Sequence, residues 1–164
     1  MINNILFICI GNICRSPMAE GLLKRRLPEK AVYSAGINAV IGAPADCMAV
    51  RIMREQGIEI GGHRARSLGA WMVDGADVIL TMDQDQKRFV QLRYPESNNK
   101  VIRLGEFADY DVPDPFQQDL DAFRETHRLI AEGVDDLVSR IASVSEERNR
   151  NGLTGIRHSR EALP

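Results

Sequence analysis

The residues Cys9-Ile10-Gly11-Asn12-Ile13-Cys14-Arg15-Ser16-Pro17 set a cysteine and an arginine with five residues between them, a glycine and an asparagine among the five. A short run of this kind, curled at a helix N-terminus, turns several backbone N–H groups inward, and the helix dipole adds positive charge. Gly11 permits close backbone approach, and Asn12 tolerates the left-handed conformation that such a nest needs. Arg15 offers a planar fork that can hold two phosphate oxygens, which a lysine cannot match. Cys9, at the start of the loop, faces that cradle, and a thiolate beneath a bound phosphate is a nucleophile for phosphorus. The candidate phosphate loop is therefore Ile10, Gly11, Asn12, Ile13, Cys14, Arg15 and Ser16. Neither G-x-G-x-x-G nor G-x-x-x-x-G-K-[ST] occurs, so this is not a nucleotide-binding loop.

The elements that must position this loop follow from hydrophobic patterning. Ile5–Cys9 is a continuous apolar run, as a strand buried on both faces reads. A helix follows, with Ser16 as candidate N-cap and Pro17 at its first position. Further strands are expected at Ala31–Ser34, Asp77–Met82 and Val101–Leu104. Helices are expected at Asp46–Gln56 and Gln84–Arg93, and a long one at Leu120–Ile141 whose stripe includes Phe123, Ile130, Val134 and Ile141. Strand and helix in alternation imply an α/β fold, a single domain with a parallel sheet covered by helices on both faces. Residues 1–144 form that domain. Residues 145–164 are rich in Glu, Arg, Asn and Gly and read as a mobile tail.

Cleaving a phosphate ester also calls for a positioned acid to protonate the leaving oxygen. Asp114, between Pro113 and Pro115, sits on a stiffened extended segment suited to project into a site built elsewhere. Glu106, Asp109, Asp111 and Asp119 lie close by in sequence, so position alone does not single it out. Ser16 has two candidate roles, capping the helix or donating a hydrogen bond to the Cys9 sulfur. Cys14 likewise has two, packing beneath the loop or forming a protective disulfide with an oxidised Cys9.

Composition narrows the class. The chain has 164 residues, 44% hydrophobic and 27% charged, with a net charge of −2, which gives no basic footprint for nucleic acid. No apolar run approaches a membrane span, and the N-terminal stretch lacks the basic start of a signal peptide. Three cysteines, an odd number, point to reduced thiols in a cytoplasm. Zinc bound by Cys9, Cys14, Cys47 and His63 would need spacings unlike those of known zinc sites.

Cys9 to Glu20 resembles the signature of the low-molecular-weight protein tyrosine phosphatases. The likeness continues through Ser34-Ala35-Gly36, Gly62–Arg66, Val78–Asp83 and Pro113–Phe116, covering residues 2 to about 142. It is most similar to the bacterial branch that serves exopolysaccharide and capsule systems. The resemblance implies a four-stranded parallel sheet, phosphotyrosine proteins as substrates and a phosphocysteine intermediate, with no cofactor. It implies Cys9 as nucleophile, Arg15 as phosphate holder and Asp114 as general acid, then base. Asn12, Ser34 and His63 fall where the family locks its phosphate loop, and Ile37 falls at a substrate rim. At Phe116 many relatives carry tyrosine, so an aromatic wall survives and regulation through that tyrosine does not. The implied partner is a membrane tyrosine autokinase, and inorganic phosphate is both product and competitive inhibitor. An arsenate reductase on the same fold would need two later cysteines, and none follows Cys47. A non-catalytic phosphotyrosine-binding module would not need both Cys9 and Asp114.

Overall fold

The computed structural model describes residues 2–155. Four parallel strands, β1 (Asn4–Cys9), β2 (Ala31–Gly36), β3 (Val78–Thr81) and β4 (Val101–Arg103), form one sheet in the order β2-β1-β3-β4. The helices are α1 (Arg15–Arg26), α2 (Cys47–Glu55), α3 (Ala70–Gly75), α4 (Gln84–Arg93) and α5 (Leu120–Gly155). The chain leaves β1 toward β2 on one side and returns to β3 on the other. That reversal puts a crevice beyond the carboxyl end of β1, where open parallel sheets bind ligands. Cys9 is the last residue of β1, paired with Gly36 of β2.

Alternation along β1 divides the core in two. Ile5, Phe7 and Cys9 face a cluster with Met18 and Leu23 of α1, Ile52 and Met53 of α2, and Phe123, Ile130 and Val134 of α5. Leu6 and Ile8 face the other cluster, with Met72 and Val73 of α3 and Val90 of α4. β1 is thus buried on both sides, as its unbroken apolar run requires. Each such side chain contributes about 1.5–3 kcal/mol when fully buried.

The expected strands and long helices are present, with shifts of a residue or two at their ends. Three features differ from the sequence reading. α3 has only six residues, too few to display a helical period, and its Trp71 is exposed. α1 begins at Arg15 with Cys14 at its N-cap, so Ser16 does not cap it. The boundary expected at residue 144 is crossed, because α5 continues unbroken to Gly155. The remainder of the expected tail, residues 156–164, lies outside the described residues.

His127 on α5 is half-buried, and its Nε2 is buried without a hydrogen-bond partner among the described residues. Burial holds this imidazole below its ordinary value of 6.5. The unfolded chain therefore takes up a proton that the folded chain refuses, so stability is lost as pH falls below about 6.5. Urea midpoints of wild type and His127→Leu, measured at pH 5, 6 and 7, should show this acid-side loss in wild type alone. An identical pH dependence in both proteins would contradict the assignment.

Candidate active site

The loop between β1 and α1 is shaped by its carbonyls. Those of Cys9, Ile10, Gly11 and Ile13 accept from the backbone N–H groups of Ile37, Asn38, Val40 and Asp46 at 2.8–3.0 Å. The Asn12 carbonyl lies 2.7 Å from His63 Nε2. In a planar trans peptide the next N–H points opposite to the C=O. The N–H groups of Ile10, Gly11, Asn12, Ile13 and Cys14 are therefore turned into the loop. The close approach has a requirement at β2: a Cβ on Gly36 would lie 2.5 Å from the Ile10 carbonyl oxygen.

Asn12 is the hinge of the loop, at φ 56° and fully buried. Its Oδ1 accepts from the Arg66 backbone N–H at 3.0 Å, and its Nδ2 donates to Ser16 Oγ and Ser34 Oγ, both at 2.9 Å. Ser34 in turn donates to Glu20 Oε2 at 2.5 Å. These directions leave the Ser16 hydroxyl hydrogen for Cys9 Sγ, 2.9 Å away. Ser16, which does not cap the helix, is thus placed to donate to the Cys9 sulfur. Asn12, Ser34 and His63 thus make the loop-holding bonds that the resemblance implies, whereas Glu20 and Arg66, whose partners lie on separate elements, have no role in the sequence reading.

Arg15 is 3% exposed, and its guanidinium is matched on three sides. Nη1 donates to Asp83 Oδ2 at 3.1 Å and to the Val112 carbonyl at 3.0 Å, and Nη2 donates to Asp114 Oδ2 at 3.1 Å. Stripping a buried charge of such partners costs about 3–5 kcal/mol, so the guanidinium fixes where these groups sit. Sequence reasoning had assigned Asp83 no role. The available signal was a carboxylate placed just after β3, at the same sheet edge as Cys9. It also caps α4, accepting from the Gln86 N–H at 2.8 Å.

The acids crowded around Asp114 in sequence separate in space. Asp119 Oδ1 accepts from the Ala122 N–H at the start of α5. Glu106, Asp109 and Asp111 all pair with Arg103. Of the five, Asp114 alone lines the cavity that also contains Cys9 and Arg15. That cavity, of about 220 Å³, has Ile13, Val40 and Phe116 as an apolar wall. Ile10, Gly11, Cys14 and Asn38 complete it. Ile37 does not line it and packs instead against the cluster around Leu6 and Ile8, because its side chain leaves β2 toward the opposite face. The rim position expected of Ile37 is taken by Asn38 and Val40.

Cys14 shares the cavity with Cys9, and both thiols are free. Burial above all, then Asp46 and Cys9, push the Cys14 thiol far above its ordinary range. Cys47 is exposed and lines a different cavity, and His63 Nε2 is committed to the loop carbonyl, so the four candidate zinc ligands do not converge. Among the described residues there is no group of three or more His, Cys, Asp or Glu able to hold a metal ion.

If Asn12 sets the loop, removing its side chain should loosen it in two separable ways. Asn12→Ala loses three side-chain hydrogen bonds and keeps an unfavourable φ, for a loss of about 2–4 kcal/mol. Asn12→Gly loses the same bonds without the φ penalty and should be about 1 kcal/mol more stable than the alanine variant. Equilibrium unfolding measures both. Alanine equal to wild type would show that the network does not hold the loop.

Residues 4–150 match the family model for the low molecular weight phosphotyrosine protein phosphatase. The probable low molecular weight protein-tyrosine-phosphatase EpsP of Ralstonia nicotianae is 49% identical over 144 residues, 88% of this chain and 99% of that protein. The low molecular weight protein-tyrosine-phosphatase Wzb of Escherichia coli is 37% identical over 131 residues, 79% of this chain and 89% of that protein. The structure of Vibrio vulnificus Wzb in complex with benzylphosphonate superposes with a TM-score of 0.82 at 34% identity, covering 85% of this chain and 99% of that one. With the parallel sheet, the cysteine–arginine loop and these matches together, the chain belongs to the low molecular weight protein tyrosine phosphatase family.

Proposed function

We propose that this phosphatase hydrolyses phosphotyrosine in proteins by a double displacement through Cys9. The observation that carries the reading is one cavity holding the Cys9 thiol, the Arg15 guanidinium and the Asp114 carboxyl, with Ser16 Oγ 2.9 Å from the sulfur. Arg15 and the inward N–H groups bind the non-bridging oxygens and stabilise their charge in the transition state. The Cys9 thiolate attacks phosphorus as the bond to the phenolic oxygen breaks, and Asp114 gives that oxygen its proton. Asp114 then takes a proton from water, which attacks the phosphocysteine and releases inorganic phosphate. The Ser16 hydroxyl stabilises the departing thiolate in that second step. Ile13, Val40 and Phe116 supply a wall against which a phenyl ring packs. Inorganic phosphate, holding the same donors, is a competitive inhibitor.

By the resemblance to the exopolysaccharide branch, the protein partner is a membrane tyrosine autokinase, acting from a shared cytoplasm. Three free thiols support that compartment. No helix among the described residues is long and apolar enough to cross a membrane.

The test is a leaving-group series on wild type, Cys9→Ser and Asp114→Asn. Cys9→Ser should abolish turnover, because an alcohol ionises too poorly to attack, while phosphate binding persists. Asp114→Asn should lose about 10²–10⁴-fold on phosphotyrosine and less on aryl phosphates of acidic phenols. Substantial turnover by Cys9→Ser, or parallel plots of log rate against leaving-group pKa for wild type and Asp114→Asn, would overturn the reading.

Oxidation supplies a further check. Peroxide should convert the Cys9 thiolate to sulfenic acid, while Cys14 remains a thiol because of its burial. Condensation of that sulfenic acid with Cys14 then forms a disulfide and releases water. Activity should return with reductant in wild type, whereas Cys14→Ser should progress to irreversible sulfinic acid. Equal recovery of the two proteins would remove Cys14 from this role.

A further inference from the structure

The segment from Leu104 to Asp119 carries Asp114 and contains no strand or α-helix, so its shape rests on side-chain and backbone ties. Near Asp114 these ties are Arg15 on the Val112 carbonyl and on the carboxylate, the Val112 N–H on the Met82 carbonyl at 2.8 Å, and Thr126 Oγ1 on the Pro113 carbonyl at 3.2 Å. At the other end one residue dominates. Arg103, the last residue of β4, holds Asp111 with Nη1 and Asp109 with Nη2, both at 2.9 Å. Its backbone N–H donates to Glu106 Oε2 at 3.0 Å, and Lys87 of α4 donates to the other Glu106 oxygen at 2.8 Å.

We infer that Arg103 is a positioning residue that sets the loop carrying Asp114 for proton delivery, by gathering Glu106, Asp109 and Asp111 onto one guanidinium. The inference rests on the reading of Asp114 as the general acid.

Three observations support it. Arg103 has a side chain only 14% exposed although its partner Asp109 is 92% exposed, so the loop folds over the arginine rather than the arginine reaching out. Isolated exposed ion pairs contribute little, but a shielded fork serving three carboxylates is a network with fixed directions. Second, the loop concentrates like charges. Glu106, Asp109, Asp111 and Asp114 would repel one another and an incoming phosphate dianion without Arg103 and Lys87 between them. Third, the clamp ends one residue before Val112, which is fully buried and hydrogen-bonds to both β3's end and Arg15. Arg103 and Arg15 therefore hold the strip from Glu106 to Asp114 at its two ends. Asp109 adopts φ 53°, a conformation that its pairing to Arg103 helps maintain.

Small displacements of a proton donor are costly to catalysis, so loosening the loop should appear in the acid step and not in phosphate binding. Steady-state kinetics over a series of aryl phosphates would be measured for wild type, Arg103→Leu, Arg103→Lys, Asp114→Asn and the double variant Arg103→Leu/Asp114→Asn. Inhibition by inorganic phosphate and thermal melting would be followed alongside. Arg103→Leu should lose about 10–10²-fold in kcat on phosphotyrosine and progressively less as the phenol becomes more acidic. Its phosphate inhibition constant should stay within about twofold of wild type, because the groups that hold phosphate are untouched. Arg103→Lys, which keeps the charge but not the fork, should fall between the two. The double variant should be no slower than Asp114→Asn. If Arg103→Leu fails to fold, Asp111→Asn takes its place in the series with the same expected pattern. A leaving-group effect in Asp114→Asn without one in Arg103→Leu, or a loss in Arg103→Leu equal for every phenol, would overturn the inference and leave Asp114 as the acid. Absence of the effect in Asp114→Asn itself would instead remove the reading on which it rests.

Discussion

The constraint on which the rest depends is a charge that cannot be left alone. Arg15 stands at the start of α1, 3% exposed, where an unpaired guanidinium would be prohibitively costly. Satisfying it draws three parts of the chain to one point: the phosphate loop by covalent connection, the end of β3 through Asp83, and the loop after β4 through Val112 and Asp114. The same fork that gathers these groups is the one suited to phosphate oxygens, so structural pairing and phosphate recognition draw on one side chain. Two carboxylates and a carbonyl take three of its five N–H donors. In the proposed reaction a phosphate ester held by Arg15 would lie beside Asp114, which the same guanidinium holds.

The parallel sheet makes this convergence economical. Strand order reverses at β1, and the carboxyl ends of β1, β3 and β4 deliver Cys9, Asp83 and Arg103 to one edge. The loop after β1 owes its shape to its surroundings as much as to its own residues. Its carbonyls are taken up by the segment from Ile37 to Asp46, and its asparagine is held by Ser16, Ser34 and Arg66. The inward N–H groups follow from peptide planarity once those carbonyls are tied outward. Pre-orientation of this kind is what lets backbone dipoles stabilise charge without rearranging during the reaction.

How much of this was legible in the sequence depended on whether the relevant signal was local. β1 announced itself by an unbroken apolar run, α5 by a stripe from Phe123 to Ile141, and the cysteine–arginine loop by its spacing. Ile37 was misjudged because strand alternation past Gly36 turned it to the other face, and alternation at a strand's end is not readable without its exact limit. Ser16 before Pro17 reads as a cap or as a donor to the sulfur, and the helix starts two residues earlier than the capping role requires, which leaves its hydroxyl for the sulfur. α5 outran its apolar stripe, since the residues beyond Ile141 continue the helix with mostly polar side chains. Arg66, Glu20 and Arg103 carry no such signal for a common reason: each acts through a partner far away in the chain or through a loop whose folding no short pattern encodes.

The central claim is that phosphorus passes through the Cys9 sulfur while Arg15 holds it. Acid quenching during turnover of a radiolabelled phosphotyrosine peptide, followed by proteolysis and mapping of the labelled fragment, tests that claim most directly. The account predicts transient label on the peptide containing Cys9, at a level that rises and decays at rates consistent with turnover. Turnover at the full rate with no labelled Cys9 peptide, or with the label on another residue, would contradict it.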